Sequence, residues 1–291
     1  VKVKKLNFIW AEKYRPETLD DMVLPEKVEA FLKTIIIKKD LPHLLLVGGA
    51  GTGKTTASRI IIKSLGWNYI ELNASDERGI DTIRGKIKNF VSLSGKKIIF
   101  LDEADNLTKD SQWSLRSIIE KYANVTRFIL TANYINKLIE PIISRFVVLY
   151  FGDLDKAKVK AYLTKILKNE KIIFADEDLD KVIDRYYCDI RAMINYLQYH
   201  SSNGTFKFVD ETLSQEKIYQ AILHRNILAV RQNLNGLDYN ALYRYLFEKF
   251  YQAKNEKALL ILANYLYKNS LVQDPEINFL ACAIELFSVV K

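Results

Sequence analysis

Along the first half of the chain, hydrophobic and polar positions follow two rhythms. Short apolar runs at His43–Gly48, Asn68–Leu72, Lys97–Leu101, Arg127–Thr131 and Phe146–Phe151 are rich in β-branched and aromatic residues, as strands buried on both faces should be. Between them, apolar residues recur at helical spacing. Ile80, Ile83, Ile87 and Val91 share one face, as do Leu115, Ile118, Ile119 and Tyr122. Strands alternating with helices predict a parallel sheet covered on both sides.

After Gly152 the strand rhythm stops. Asp153–Glu170, Asp176–Tyr187 and Asp189–Ser201 read as three helices, each opening on an acidic residue suited to a helix N-terminus. The polar break Ser201–Gly204 is the clearest linker candidate. Tyr- and Leu-rich helical segments follow, with breaks near Asn235, Asn255 and Gln273–Pro275. The expected architecture is α/β plus all-α: a parallel-sheet domain over 1–151, a small helical domain over 152–203 and a C-terminal helical domain over 204–291.

Composition narrows the function classes. The 291 residues are 49% hydrophobic and 27% charged, a globular balance that argues against disorder. No apolar run exceeds six residues, too short to span a bilayer. The basic segment Val1–Lys5 leads into a mixed stretch without the apolar core of a secretion signal, so a cytoplasmic location is expected. Cys188 and Cys282 lie far apart, which excludes a disulfide framework and a C-x-x-C zinc site. The net charge of +8 divides unevenly. Residues 1–150 hold 24 Lys and Arg against 17 Asp and Glu, whereas 151–291 hold 19 against 18. The basic excess, and with it the expectation of a polyanionic partner, belongs to the N-terminal half.

The strongest motif is Gly48-Gly49-Ala50-Gly51-Thr52-Gly53-Lys54-Thr55, which fits G-x-x-x-x-G-K-[ST]. It follows the apolar run Leu44–Val47 and precedes helical spacing from Thr56, the context such a loop needs. Glycines let successive N–H groups face phosphate oxygens and the helix start adds its dipole. Lys54 supplies a cation, and the Thr55 hydroxyl is a candidate Mg²⁺ ligand. About 50 residues on, Ile98–Leu101 ends in Asp102 and Glu103. A buried strand delivers Asp102 to its C-terminal edge, where it suits the Mg²⁺ shell, and Glu103 is placed to orient or deprotonate a water.

Lys97–Asp105 reads K-I-I-F-L-D-E-A-D, and with the loop it resembles an AAA+ ATPase. Trp10-Ala-Glu-Lys-Tyr14-Arg15-Pro16 with Leu19–Val23, the segment Glu71–Ile80 (E-L-N-A-S-D-E-R-G-I) and the pair Ser144-Arg145 are similar to sliding-clamp loader small subunits. These are the replication factor C small subunits and their T-even-like phage counterparts. The resemblance covers about residues 8–200 closely and the rest by helical content. It implies an AAA+ P-loop domain, a helical lid and a helical collar.

It further implies that ATP is held by Tyr14, Arg15, Pro16, Val23, the loop from Gly48 to Thr55, Thr56 and Arg191. Asn133 takes the sensor-1 position and Arg191 resembles sensor 2. Asn73 resembles the residue that restrains the catalytic Glu103 until DNA binds. Arg145 looks like an arginine finger acting on the neighbouring subunit's ATP, typically worth about 10³–10⁵ in rate. The residue after Arg145 is Phe146 rather than the usual Cys, and Gly49-Ala50 stands where Pro-Pro is frequent; neither removes a charge. Two isolated cysteines speak against the zinc-bearing bacterial branch.

In Asp81–Lys88 the apolar positions face inward and leave Arg84 and Lys88 on an exposed strip. Gly79, Ile80, Arg84, Lys86 and Lys88 are the candidate contacts to primer–template DNA phosphates. On the helix Thr108–Tyr122, Leu107, Trp113 and Arg116 lie off the apolar stripe. Leu107 and Trp113 are the candidate sliding-clamp contacts, and Gln112 is a candidate link between the ATP site and the DNA-facing helix. The reading is an ATP-hydrolysing subunit of a sliding-clamp loader, within a hetero-pentamer of loader subunits. The rivals are another AAA+ DNA-remodelling ATPase and a non-hydrolysing structural subunit.

Overall fold

In a computed structural model, the structure describes residues 8–75, 80–91, 95–201, 203–209, 212–234, 237–269 and 271–290. The chain divides into two compact units, Val1–Phe208 and Val209–Lys291.

The first unit opens with α1 (Trp10–Lys13), α2 (Glu26–Lys38), β1 (Leu44–Val47), α3 (Lys54–Leu65), β2 (Asn68–Asn73) and α4 (Ile80–Val91). It continues with β3 (Lys97–Asp102), α5 (Lys109–Tyr122), β4 (Thr126–Ala132), α6 (Glu140–Ile143) and β5 (Val147–Tyr150). All strand pairs are parallel, in the order β2-β3-β4-β1-β5. Alternate residues of the central strands feed opposite faces. Leu45, Val47, Ile99, Leu101, Phe128 and Leu130 join one core, while Leu44, Leu46, Ile98, Phe100 and Ile129 join the other. Ile87, Leu115, Ile118 and Ile119 of α4 and α5 cover the first face; Leu32, Ile35, Ala57 and Ile61 of α2 and α3 cover the second.

The expectation that every strand is buried on both faces fails at both edge strands, β5, where Val147 and Tyr150 are exposed, and β2. The residues of β2 are mostly exposed or half-buried, and Tyr69 stands in solvent. Insertion of β1 between β4 and β5 reverses the strand order, and ligands of open α/β sheets bind beyond the C-terminal strand ends at such a switch point.

Helices α7 (Lys156–Asn169), α8 (Asp176–Arg185) and α9 (Ile190–His200) complete this unit. Asp155 and Asp189 cap α7 and α9 through their carboxylates. Val159, Leu163, Val182, Met193 and Leu197 pack into one core, which also takes Val23 and, at its rim, Trp10 and Tyr14 from the N-terminal segment. The end of the stretch expected as a linker belongs to this layer. Gly204 turns at φ +77°, Ile173 pairs with Thr205, and Phe206 is buried against the helices.

The second unit contains α10 (Thr212–Leu223), α11 (Ile227–Gln232), α12 (Tyr239–Gln252), α13 (Glu256–Asn269) and α14 (Pro275–Phe287). Tyr243, Leu246, Phe250, Phe279 and Cys282 fill its core. Buried Asn278 is satisfied by donating to the Tyr243 hydroxyl and the Tyr265 carbonyl. Burial pushes the Cys282 thiol up to about 12, so it packs as an apolar group.

His43, just before β1, accepts a hydrogen bond at Nδ1 from the Phe128 amide at 3.1 Å and packs against the Phe128 and Phe146 rings. Desolvation, with Arg127 nearby, pulls its pKa from 6.5 down to about 4. A depressed histidine pKa contributes stability that is complete above the unfolded value and lost as pH falls through the folded one. Between pH 6.5 and 4, unfolding free energy should therefore fall more steeply in the wild type than in His43→Asn, by up to about 1.4 kcal/mol per pH unit. Urea melts across that window measure the difference.

Candidate functional site

The C-terminal ends of β1, β3 and β4 converge on one cleft. The loop leaving β1 runs from Gly48 to Gly53, and Gly51 and Gly53 adopt φ +68° and +92°, values costly for any residue with a Cβ. Gly48 has a second constraint: a Cβ there would lie 2.3 Å from the Phe151 carbonyl oxygen. Lys54, at the start of α3, is buried, and its ammonium donates to the Gly48 and Gly49 carbonyls at 2.7 and 2.6 Å and to Asn133 Oδ1 at 3.0 Å. Desolvation lowers its pKa, and the Asp102 and Asp105 carboxylates oppose that shift. The sequence-predicted Lys54 and Asn133 thus meet directly.

Thr55 donates to both Asp102 carboxylate oxygens at 3.0 Å, and Thr131 donates to Asp102 Oδ1. These are hard oxygen donors at the mouth of a phosphate loop. One carboxylate and one hydroxyl suit Mg²⁺, which keeps waters and phosphate oxygens as its other ligands. Among the described residues no three His, Cys, Asp or Glu side chains form a metal cluster. Ala50–Thr56, Asp102, Glu103, Thr131, Asn133 and Arg191 line the cleft.

Glu103 sits at φ +56°, and its amide donates to Thr131 Oγ1 at 2.9 Å. Its carboxylate is already engaged. Glu103 Oε2 accepts from the Ser75 hydroxyl and from Asn106 Nδ2 at 3.1 Å, and Asn106 also reaches Ser75 Oγ at 3.0 Å. Asn73, expected to hold Glu103, instead accepts from the Ser75 amide at 2.9 Å and shapes the turn that presents Ser75. Ser75 and Asn106 carried no sequence signal, because their meeting depends on two turns from different strands. Asp105, also unassigned from sequence, is buried and accepts from the Asn133 and Tyr134 amides at 3.2 Å, fixing the end of β4.

A second cavity adjoins the loop, lined by Tyr14, Arg15, Pro16, Val23, Gly51, Thr52, Gly53, Thr56 and Arg191 among others. It brings the sequence-predicted N-terminal box and the lid together. Tyr162 of α7 donates to the Tyr14 carbonyl at 2.7 Å, and the Tyr14 hydroxyl donates to Glu170 at 2.7 Å. Asp189 lies so close to the loop that a Cβ on Gly51 would fall 1.7 Å from its Oδ1. Arg191, the second residue of α9, lines both cavities.

Arg145 lies elsewhere. It precedes β5, whose Val147 pairs with Leu44, whereas the phosphate loop leaves the other end of β1 beyond Val47. The pair is separated by a strand length, roughly 15 Å. Its guanidinium is bound to Glu120 and to the Pro141 carbonyl. Arg84, Lys86 and Lys88 are all exposed on α4, with Ile87 buried behind them. Ile80 opens that helix, and Gly79 lies outside the described residues. Trp113 is 48% exposed, but Leu107 is only 5% exposed. Leu107 therefore belongs to the sheet core rather than to an outward face, which corrects the expectation that it contacts a clamp. Gln112 is 1% exposed. Its amide nitrogen donates to the Leu107 and Lys137 carbonyls and its oxygen accepts from the Ile139 amide, so it fastens α5 to the segment after Asn133.

Residues 44–154 match the AAA family, the ATPase family associated with various cellular activities, and residues 3–82 match the Rad17 P-loop domain. The chain is 40% identical over 275 residues to the replication factor C small subunit of Saccharolobus solfataricus, covering 91% of this chain and 79% of that one. The chain belongs to the replication factor C small-subunit family. The small subunit of Sulfolobus acidocaldarius is 44% identical over 232 residues, 74% of this chain and 71% of that protein. RuvB variants of Thermotoga maritima share the fold, with a TM-score of 0.56 at 19% identity over 80% of this chain and 85% of theirs. This family member is an AAA ATPase, a fold that binds nucleotide.

The loop geometry makes a direct prediction for binding. Gly51→Ala meets both an adverse φ and the Asp189 carboxylate, and should weaken ATP binding at least tenfold in titration calorimetry. Gly51→Ala/Asp189→Gly removes the collision but keeps the adverse φ and costs α9 its carboxylate cap, so it should recover only part of that loss.

Proposed function

We propose that the chain is an ATP-hydrolysing subunit of a sliding-clamp loader, which opens a polymerase clamp and places it on primer–template DNA. The observation that carries this reading is the meeting of Lys54, Thr55, Asp102, Glu103 and Asn133 in one cleft of a replication factor C small-subunit family member, with a basic helix that starts a few residues after Ser75. In this reading residues 1–151 are the ATPase domain, and the lid and collar of a cytoplasmic hetero-pentamer follow. The lid–collar boundary expected at 203/204 moves to 208/209, because Phe206 packs into the core of α7–α9.

The roles follow from the geometry. Backbone amides of Gly49–Lys54 bind the phosphates at the N-terminus of α3. Lys54 exchanges its loop carbonyls for phosphate oxygens, a charge-assisted and stronger contact. Thr55 and Asp102 would hold Mg²⁺, which when bound neutralises phosphate charge. Asn133 and Arg191 address the phosphate end, and Tyr14, Arg15, Pro16 and Val23 enclose the base side. Glu103 orients or deprotonates the attacking water once it leaves Ser75 and Asn106. Arg145, a strand length from its own cleft, acts on a neighbour's ATP. Arg84, Lys86 and Lys88 contact DNA phosphates, so binding is salt-sensitive and largely independent of sequence. Trp113 offers an apolar anchor to the clamp. Gln112 couples α5 to the Asn133 segment.

Two experiments test this. ATP-dependent transfer of a clamp to a primed DNA circle should occur with the wild-type loader and fail with Lys54→Ala; transfer by the Lys54→Ala loader contradicts the reading. Ser75→Ala and Asn106→Ala each remove one of the two contacts that hold the Glu103 carboxylate. Each should raise hydrolysis without DNA several-fold, and unchanged phosphate release would show that these contacts do not hold Glu103 back.

A further inference from the structure

One face of α5 carries Trp113, Arg116 and Glu120, spaced so that they form a single stripe. Glu120 Oε1 is the meeting point of two guanidinium groups. Arg145 donates to it from Nη2, and Arg116 donates from Nε and Nη2 at 3.2 Å each. The Arg116 guanidinium also lies 5.9 Å over the Trp113 ring, which fixes its place independently of Arg145. Both arginines hold the Glu120 carboxyl below the usual carboxylate range, with the Arg145 hydrogen bond the larger cause. All three charged side chains are between 31% and 43% exposed. Exposed pairs of this kind are weak and shift equilibria only by a small factor. The carboxylate can therefore order Arg145 without trapping it.

Resting on the reading of Arg145 as a finger, we propose that Glu120 is its positioning residue. Glu120 holds the guanidinium on its own subunit until a neighbouring subunit's ATP takes it over, and Arg116 keeps the carboxylate paired afterwards. A terminal phosphate carries more charge than one carboxylate and offers more acceptor oxygens, so it wins the exchange once it is within reach. Departure of Arg145 then leaves a neutral Arg116–Glu120 pair on the helix face rather than a lone anion. Without Arg116, departure strands the Glu120 charge and becomes harder. The two partners of Glu120 thus give substitutions of opposite sign, which loss of packing or folding does not produce.

The test uses the loader reconstituted with its partner subunits. Variant subunits also carry Lys54→Ala and are mixed with wild-type copies, with Lys54→Ala alone as the wild-type reference for the finger, so that phosphate release reports only the neighbours' sites. Without DNA or clamp, Glu120→Gln should raise that release about 2- to 5-fold, the range of a weak exposed ion pair. Arg116→Ala should lower it by a similar factor, and the double variant should behave as Glu120→Gln. Glu120→Lys, which repels Arg145, should give at least the rise of Glu120→Gln. Arg145→Ala should abolish the neighbours' release. If it does, while Glu120→Gln and Arg116→Ala match wild type or change release in the same direction, the holding role of Glu120 is wrong and the finger stands. If Arg145→Ala leaves release intact, the finger reading itself fails.

Discussion

The Asp102 carboxylate is the contact on which the site depends. It accepts from Thr55 at the start of α3 and from Thr131 on β4, while the Asp102 carbonyl accepts from the Ala74 amide just past β2 at 3.0 Å. One residue at the end of β3 therefore fixes the phosphate loop, the strand that presents Asn133 and the turn that presents Ser75. The parallel sheet makes this possible, because all its strands deliver their C-terminal ends to the same edge. Loss of the Asp102 carboxylate would release two of these segments, α3 at Thr55 and β4 at Thr131, and leave only the backbone tie to Ala74.

The charged groups of the cleft, and Arg145 outside it, are each paired within the chain. Lys54 rests on loop carbonyls and Asn133, Glu103 on Ser75 and Asn106, and Arg145 on Glu120. A buried or half-buried charged group without a partner is costly, so each group needs an internal stand-in before its substrate arrives. Each stand-in sits in a different part of the machine. That of Lys54 is the loop itself, that of Glu103 adjoins the turn leading to the basic helix, and that of Arg145 lies on the helix bearing the exposed Trp113. Nucleotide, DNA and a neighbouring subunit or clamp would each displace a different internal partner. On the proposed function, hydrolysis then depends on several ligands being present together.

Much of this was legible in the sequence where a residue's role follows from local context. The central strands announce themselves as unbroken apolar runs, and the loop is defined by glycines whose positive φ values no other residue takes cheaply. Lys54, Thr55, Asp102 and Glu103 sit at strand ends or helix starts that the apolar pattern already marks. Periodicity failed where tertiary neighbours decide the matter. The run at β2 reads as a buried strand, yet it lies at the sheet edge, and Leu107 reads as outward because its turn, not a helix, sets its direction. Ser75, Asn106 and Asp189 were invisible as site residues because each acts across a gap in sequence that only the folded chain closes.

The central claim is that this cleft hydrolyses ATP in response to DNA and clamp. The most direct measurement is the rate of phosphate release from the assembled loader, taken with neither, either or both of primer–template DNA and clamp, for wild type and Glu103→Gln. The account predicts that each ligand raises the wild-type rate, that both together raise it most, and that Glu103→Gln stays near zero throughout. Equal wild-type rates in all four conditions would contradict it.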